Sequence, residues 1–430
     1  MRKHLFILIA FYTLSVHAAE RVSLSQLRAD WGKYMNRMVE VTTPLVVCGS
    51  YYDSLILAEE RIYCPEERAV GLADGDSSVY YQIAASNRAQ TICIHCRNNY
   101  YTVRTGDRVR GFKARVTGDR HFVTGQGVRT RHVRQPRPAC KKRGTIRVVG
   151  ANIENYFADL GGYATRRTTV DQQALKTRKL VKALRAMKGD LYALCEMQVG
   201  DKAPQMLLKE LNRGIHKYGY VSMPVANQDR IGGCFLYRID RLRPYGTPLS
   251  AYRDTASHYH ARMFAQGFER VDKKGKVAGE RFIASVNHFK SKRAGRGNYD
   301  THLKRMSNAD SLLAMLPEAI VQYGDSDVLL LGDYNCYTQE GPIQAIVRSG
   351  YDDQLMRFCP DDYSYVYKGE MGYLDRCFAS PSMAAQVEHV APWHINADWY
   401  YQHGAYKQKD KSLHRYADHE PIIIDLKLGH

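Results

Sequence analysis

Acids, amides and histidines in this sequence gather at the ends of apolar runs. Val328-Leu-Leu-Leu-Gly-Asp333-Tyr-Asn335 has four consecutive aliphatic residues, a glycine, and then a carboxylate and a carboxamide two positions apart. Such a run reads as a fully buried strand, and period-2 geometry sets Asp333 and Asn335 on one side with Tyr334 pointing away. A carboxylate beside a carboxamide suits a hard cation and an anionic oxygen. Taken alone, the stretch is an ordinary strand running into an Asx-type turn. The pattern recurs, however. Segment 145–152 delivers Asn152, segment 191–196 delivers Glu196, segment 281–288 delivers His288, and Asp418-His419 immediately precedes the apolar run 421–426. Segment 372–380 carries Asp375 within an apolar strand, which costs free energy unless that acid is paired. No serine-nucleophile motif, phosphate-binding glycine loop or HExxH pair competes with this set. The recurrence points to one polar site at the rim of a central sheet.

Alternating helices and strands surround that rim. Residues 171–188 carry a stripe of Leu175, Leu180, Val181, Leu184 and Met187 and are stopped by Gly189, which predicts a basic helix. Helices are also expected over 202–211 and 303–316, and a strand over 231–237 preceded by Asp229. Before residue 145 the pattern differs. A helix over 22–37, with Ser23 or Ser25 as its cap, gives way to a strand period. Segments 38–47, 54–62, 78–84, 102–116 and 121–133 are rich in Val, Tyr, Thr and Ile and are separated by Gly/Asp turns. Segment 106–118 resembles the third-to-fourth strand region of an OB-type barrel in composition. The expected organisation is a small mostly-β, OB-like unit over 19–134, an exposed basic linker over 135–144, and an α/β unit over 145–430.

The chain carries 62 Lys and Arg against 44 Asp and Glu, a formal charge of +18 that calls for negatively charged partners. Between Arg97 and Arg143, eleven Arg and three Lys meet two Asp, and Tyr100, Tyr101, Phe112 and Phe122 interleave with them. Single-strand binders combine phosphate attraction with base stacking in this way, which makes nucleic-acid contact the expectation. A composition 44% hydrophobic and 25% charged excludes wholesale disorder. Arg2, Lys3 and His4, the apolar run from Leu5 to Val16, and Val16-His-Ala18 form an export signal, cut after Ala18 or after Ala19. Its apolar run is too short to span a bilayer. Removing Arg2 and Lys3 leaves a mature charge of +16, two below the +18 of the full chain. The expected address is the periplasm or the medium, where disulfides form. Among the ten cysteines, Cys93-Ile-His-Cys96 has the spacing of a redox or half-zinc site, but no second CxxC or HxxxH lies nearby to complete a zinc set. A structural bridge or buried thiols are favoured there.

The second unit resembles the endonuclease/exonuclease/phosphatase (DNase I-like) superfamily nearly end to end. The resemblance is carried by Gly150-Ala-Asn152, Leu194-Cys-Glu196, Asn287-His288-Phe-Lys-Ser-Lys292, Gly332-Asp333-Tyr-Asn335, Leu374-Asp375-Arg-Cys-Phe and Asp418-His419-Glu-Pro421, in the family's order. The first and last differ from the family's usual form at Ala151 and Glu420. Asn287–Lys292 and Trp393-His-Ile-Asn-Ala-Asp398 look closest to secreted bacterial nucleases with an OB-like N-terminal module. The resemblance implies a four-layer αββα sandwich and a metal-dependent hydrolase of phosphoesters. It implies Mg²⁺ (with Mn²⁺ or Ca²⁺ substituting or assisting) at Glu196 and Asn152, with Asp418 contributing through a second position or through water. It gives Asp333 the attacking water and Asn335 a phosphate oxygen. His419 becomes general base or phosphate ligand, oriented by Asp375, and His288 protonates the leaving oxygen or stabilises charge on it. Asp229 is a further candidate partner of His288.

The same superfamily cleaves DNA, RNA, sphingomyelin and inositol phosphates, so charge must choose among them. The basic balance, and Lys290, Lys292, Arg293 and Arg296 beside His288, favour a long polyanion. The expectation is therefore a secreted endonuclease of low sequence preference acting on DNA, with RNA as a further substrate and no membrane insertion. The alternatives are a sphingomyelinase-like phospholipid phosphodiesterase and a catalytically inactive nucleic-acid-binding protein.

Overall fold

A computed structural model describes residues 19–428 apart from 52–53, 97–102, 133–139, 161–167, 215, 225–229, 252–261, 273, 294–300 and 400–410. The export signal over 1–18, the first half of the linker, Tyr100, Tyr101, Asp229 and Arg296 lie outside the described residues.

Two six-stranded mixed sheets form the larger unit. One runs Tyr218–Ser222, Ile231–Arg238, Leu191–Gln198, Ile146–Tyr156, Ile422–Leu426, Val387–Pro392. The other runs Leu242–Ser250, Arg262–Val271, Val277–His288, Val328–Asp333, Asp375–Ala379, Asp352–Asp353. Their facing sides share one core in which Val148, Phe235 and Ile424 meet Phe264, Val286 and Leu331. The outer side of the first sheet packs on helices Val170–Met187 and Lys202–Leu211 through Val149, Leu184 and Leu207. The outer side of the second packs on Thr301–Tyr323 and Gly341–Arg348 through Leu330, Leu312 and Ile343. Helix, sheet, sheet, helix is the expected four-layer sandwich. Each sheet contains one parallel pair, Ile146–Tyr156 with Leu191–Gln198 and Val277–His288 with Val328–Asp333. A parallel pair requires a crossover, which Val170–Met187 and Thr301–Tyr323 supply. Both crossovers leave the C-terminal strand ends on one edge.

The Val170–Met187 helix starts at a capping box in which Thr169 and Gln172 exchange hydrogen bonds. Its buried face differs from the expected stripe. Leu175 is only half-buried, and Gln173, Lys176 and Thr177 share the inner face with Leu180, Leu184 and Met187. The Thr301–Tyr323 helix continues through Pro317 because Leu316, Ala319 and Tyr323 keep it docked.

The N-terminal unit is β-rich as expected, with nine strands in one sheet, but segment 78–84 is helical. Val79, Tyr80, Tyr81 and Ile83 favour a strand locally, yet Ala84, Ala85 and Ala89 follow, and the helix Ser78–Gln90 propagates through both halves. Asp76 Oδ1 accepts the Ser78 N–H at its start (2.8 Å). The expected helix over 22–37 is two short ones, Leu24–Ala29 and Trp31–Tyr34, because Asp30 caps the second. No disulfide is present among the described residues, and among them no helix is long and apolar enough to cross a membrane.

The two units are joined by more than the linker. Ile62–Tyr63 pairs with Glu370–Gly372 as a strand, and Asn87 Nδ2 donates to Glu370 Oε1 (2.9 Å). Glu67, 4% exposed, reaches into the larger unit, where it accepts from Thr338 N–H (3.2 Å) and Tyr373 N–H (3.3 Å) and pairs with Arg376 (3.5 Å). These segments flank Asn335 and Asp375, so the N-terminal unit helps to set the site. Glu67→Ala leaves a fully buried guanidinium short of one carboxylate and is expected to cost about 3–5 kcal/mol, read by denaturant unfolding.

Candidate active site

Strand register assembles the centre. His288 pairs with Asp333 across a parallel ladder, and Asp333 pairs with Asp375 across an antiparallel one, so the three stand in a row. In the other sheet Asn152 lies opposite Cys195, next to Glu196, while Gly150 pairs with Ile422, just beyond His419. The Asn152 amide spans the two sheets, donating to Glu196 Oε1 (3.1 Å) and Asp333 Oδ2 (3.0 Å).

Local irregularities aim these groups. The ladders shift register between Asn152 and Tyr156 and between Leu194 and Met197, and Glu154, Asn155 and Glu196 have φ of 50°, 57° and 65°. A bulge re-aims a side chain out of the sheet's alternation, and here Glu196 Oε2 accepts the Asn155 N–H (2.8 Å). Gly332 has no substitute, since its φ is +135° and a Cβ would stand 1.9 Å from the Asn287 carbonyl oxygen. Immediately after it the Asx-type turn forms, with Asn335 N–H donating to Asp333 Oδ1 (2.9 Å). Turn and site are one structure. Tyr334 points the other way, its hydroxyl accepting from Asn287 Nδ2 (3.1 Å) and its ring packed on Phe289 and Phe378.

Two imidazoles flank the Asp333 carboxylate. His288 Nε2 is 3.7 Å from both Glu196 Oε1 and Asp333 Oδ2. His419 Nε2 is 3.9 Å from Asp333 Oδ2, and its Nδ1 lies 2.7 Å from Asp375 Oδ2. Asp375 thereby has the partner its burial demands. Asn335 Nδ2 donates to Phe289 O (3.1 Å) and to Asp333 Oδ2 (3.3 Å). Burial pushes Asp333 up to about 6, with His419 opposing and Asp375 adding to the rise. Asp375 is likewise raised by burial against the pull of His419. Burial alone would lower His419, but Asp375, Asp333 and Asp418 outweigh it and hold its pKa well above the ordinary imidazole range. A cavity of about 710 Å³ opens over Glu196, His288, Asp333, Asn335, Asp418 and His419.

Glu196, Asp333 and Asp418 put hard oxygen donors around this cavity, which fits a small divalent cation that keeps most of its waters. Asn152, the remaining expected ligand, lies between Glu196 and Asp333. Its oxygen accepts the Glu154 N–H (2.8 Å) and its NH₂ group faces both carboxylates, so it orients Glu196 and Asp333. Glu420 faces away from the site and accepts the N–H groups of Ile395, Asn396 (both 2.8 Å) and Ala397 (2.9 Å), anchoring that loop.

Sequence reasoning passed over Lys176, Tyr365, Arg262 and Lys304. Lys176 is fully buried, donates to the Glu154 carbonyl, and lies in the field of Glu196 and Asp418; burial lowers its pKa against their attraction. Its one signal was a lysine four residues before Leu180, on the helix's apolar stripe. The Tyr365 ring lies against His419 with centroids 4.6 Å apart and planes tilted by 33°, and Arg262 and Lys304 line the cavity. No local pattern marks those three.

An αββα sandwich with a carboxylate–imidazole cluster where both sheets end defines a class of phosphoester hydrolases. The family model described as "Endonuclease/Exonuclease/phosphatase family" matches residues 151–397, and the chain belongs to that family. Its members hydrolyse phosphoester bonds with divalent metal ions. Similar solved structures include a family protein from Bacteroides thetaiotaomicron, 14% identical with a TM-score of 0.47 over 65% of this chain and 97% of that one. An AP endonuclease from Archaeoglobus fulgidus is 11% identical, with a TM-score of 0.44 over 65% of this chain and 99% of that one. The 3′ phosphatase NExo from Neisseria, bound to a product DNA hairpin, is 13% identical, with a TM-score of 0.43 over 66% of this chain and 99% of that one. No curated protein matches the chain in sequence.

Proposed function

We propose that this hydrolase is an exported, Mg²⁺-dependent endonuclease that cleaves phosphodiester bonds of DNA, and of RNA, with low sequence preference. The observation that carries this reading is a groove of about 870 Å³ running from His419 to the N-terminal unit. On its walls Arg88, Arg293 and Lys368 interleave with Tyr80, Tyr365 and Tyr367, beside Glu66, Glu370 and a Lys292 paired with Glu340. Cations follow a phosphate backbone and aromatic rings accept any base, so such a groove favours a polynucleotide without selecting its sequence. Export rests on the signal-like N-terminus and stays part of the proposal.

Glu196 would hold the cation, with Asp418 contributing directly or through water. The bound ion supplies charge to offset what builds on the phosphate. Asp333, held from both sides by Asn152 and Asn335, orients the attacking water and takes its proton. Asn335 exchanges its long contact to Asp333 for a phosphate oxygen. Asp375, Asp333 and Asp418 raise the His419 pKa, which favours the charged imidazolium and with it the phosphate-ligand role over that of base. His288, across the row, gives a proton to the departing oxygen.

The pH profile follows from these signs. Asp333 must be ionised and His419 protonated, so kcat/KM is expected to rise as pH passes through about 6 and to fall only well above neutrality. An acid limb at the ordinary carboxylate range would place the base elsewhere. The substrate test offers supercoiled plasmid, single-stranded RNA and sphingomyelin vesicles with Mg²⁺, Mn²⁺, Ca²⁺ or chelator. Nicked plasmid, falling steeply with added salt, is expected. Phosphocholine release without plasmid nicking would make the chain a lipid phosphodiesterase, and DNA binding without cleavage under any metal would make it an inactive binder.

A further inference from the structure

We propose that the solvent face of the N-terminal sheet carries a second metal site, for a zinc-class ion, built from Cys93, His95 and His121. It is independent of the nuclease reading. Cys93 and His95 are two residues apart on Ile92–Cys96, so their side chains share a face. His121 opens the neighbouring parallel strand His121–Thr124 and pairs in register with Cys93 itself. Strand period and ladder register thus bring the three together, with their ligand atoms within 4.8 Å of one another.

The internal geometry suits a tetrahedral ion. His95 Nε2 lies 3.9 Å from Cys93 Sγ, against about 3.5 Å between a sulfur and a nitrogen bound to the same zinc. Closing that gap needs a shift of a few tenths of an ångström. The His95 and His121 rings stack with centroids 6.1 Å apart and planes 12° from parallel. Ser54, paired with His95 across the Ser54–Ala58 strand, places its hydroxyl 2.9 Å from His95 Nδ1, the outer contact that orients a ligating imidazole through its other nitrogen. Cys96 takes no part. It is buried on the opposite face, and three residues of extended strand separate it from Cys93 by about 10 Å, beyond the reach of a disulfide. The redox reading of the CxxC is thereby excluded while the strand persists. Cys, His and His is a borderline-soft set, unlike the oxygen-rich catalytic cavity. On binding, the Cys93 thiol releases its proton to solvent and the thiolate becomes the ligand. None of the three lines either described cavity of the catalytic cleft, so the ion would pin two strands of the sheet.

Titration of the metal-stripped full chain with Co²⁺, in place of Zn²⁺, tests this. A saturable sulfur-to-cobalt charge-transfer band is expected, displaced by Zn²⁺, kept in Glu196→Gln, and lost in Cys93→Ser and in His121→Ala. Ser54→Ala should weaken Co²⁺ binding about ten- to a hundredfold. Added Zn²⁺ should raise the melting temperature of Glu196→Gln by more than that of the Glu196→Gln/His121→Ala double variant. Because His121 is exposed, His121→Ala keeps the fold and its plasmid nicking. A wild type without the band, or a band of equal strength in Cys93→Ser or His121→Ala, would overturn the site.

Discussion

Asp333→Asn is expected to lower kcat on a nucleic-acid or activated diester substrate by about 10³–10⁴-fold while leaving the fold intact. The substitution keeps the Oδ1 that accepts the Asn335 N–H, so the turn survives. What disappears is the charge between His288 and His419, and with it the group that takes the proton of the attacking water. A stability measurement separates this from simple damage. The folded-state pKa of Asp333, about 6, lies above that of an exposed carboxyl, so its ionisation weakens the fold at neutral pH. Removing the charge relieves that cost, but the new NH₂ meets the Asn152 and Asn335 amides that donated to Oδ2, so the melting temperature should fall by only a few degrees as activity collapses. An activity loss no larger than the unfolded fraction explains would assign Asp333 a structural role only.

Asp375→Asn should produce the second large effect, a fall in kcat/KM of about 10²–10⁴-fold, together with a change in pH dependence. Asp375 touches His419 Nδ1 at 2.7 Å and is the first of the carboxylates that hold this imidazole charged against its own burial. With an amide there, burial is less opposed and the His419 pKa falls. The alkaline limb of the profile should therefore move to lower pH, and the acid limb set by Asp333, which Asp375 helps to raise, should move down with it. Asp375 acts through His419, and the displaced limb is the readout that a merely local disturbance would not give.

How far the sequence goes can be judged residue by residue. The buried strands announce themselves because Val328–Asp333 or Ile422–Leu426 are too apolar to be anything else, and strand period places the polar residue at each end. Register then does what sequence cannot. His288, Asp333 and Asp375 become neighbours only when the parallel and antiparallel ladders fix them in one row. Asn152 was legible as a site residue but not as the donor bridging two carboxylates, since that depends on where Glu154 N–H lies after a bulge. Glu67 and Arg376 sit over 300 positions apart in the chain, and nothing local marks either as the other's partner. Segment 78–84 misled because its β-branched and aromatic residues argue for a strand, whereas the alanines that follow and the docking of Asn87 against Glu370 decide for a helix. That helix brings Tyr80 and Arg88 to the groove, so the missed element is also the one that extends the site beyond a single phosphate.

The most direct measurement is conversion of supercoiled plasmid by the wild type and by His419→Ala, side by side, with Mg²⁺, with excess chelator, and with Mg²⁺ restored. The wild type should nick in Mg²⁺, stop in chelator and resume on restoration, and His419→Ala should be slower by about 10²–10³-fold or more while still binding DNA. A His419→Ala protein that nicks at the wild-type rate, or a wild type that nicks undiminished in chelator, would contradict a metal-dependent phosphodiesterase centred on Asp333 and His419.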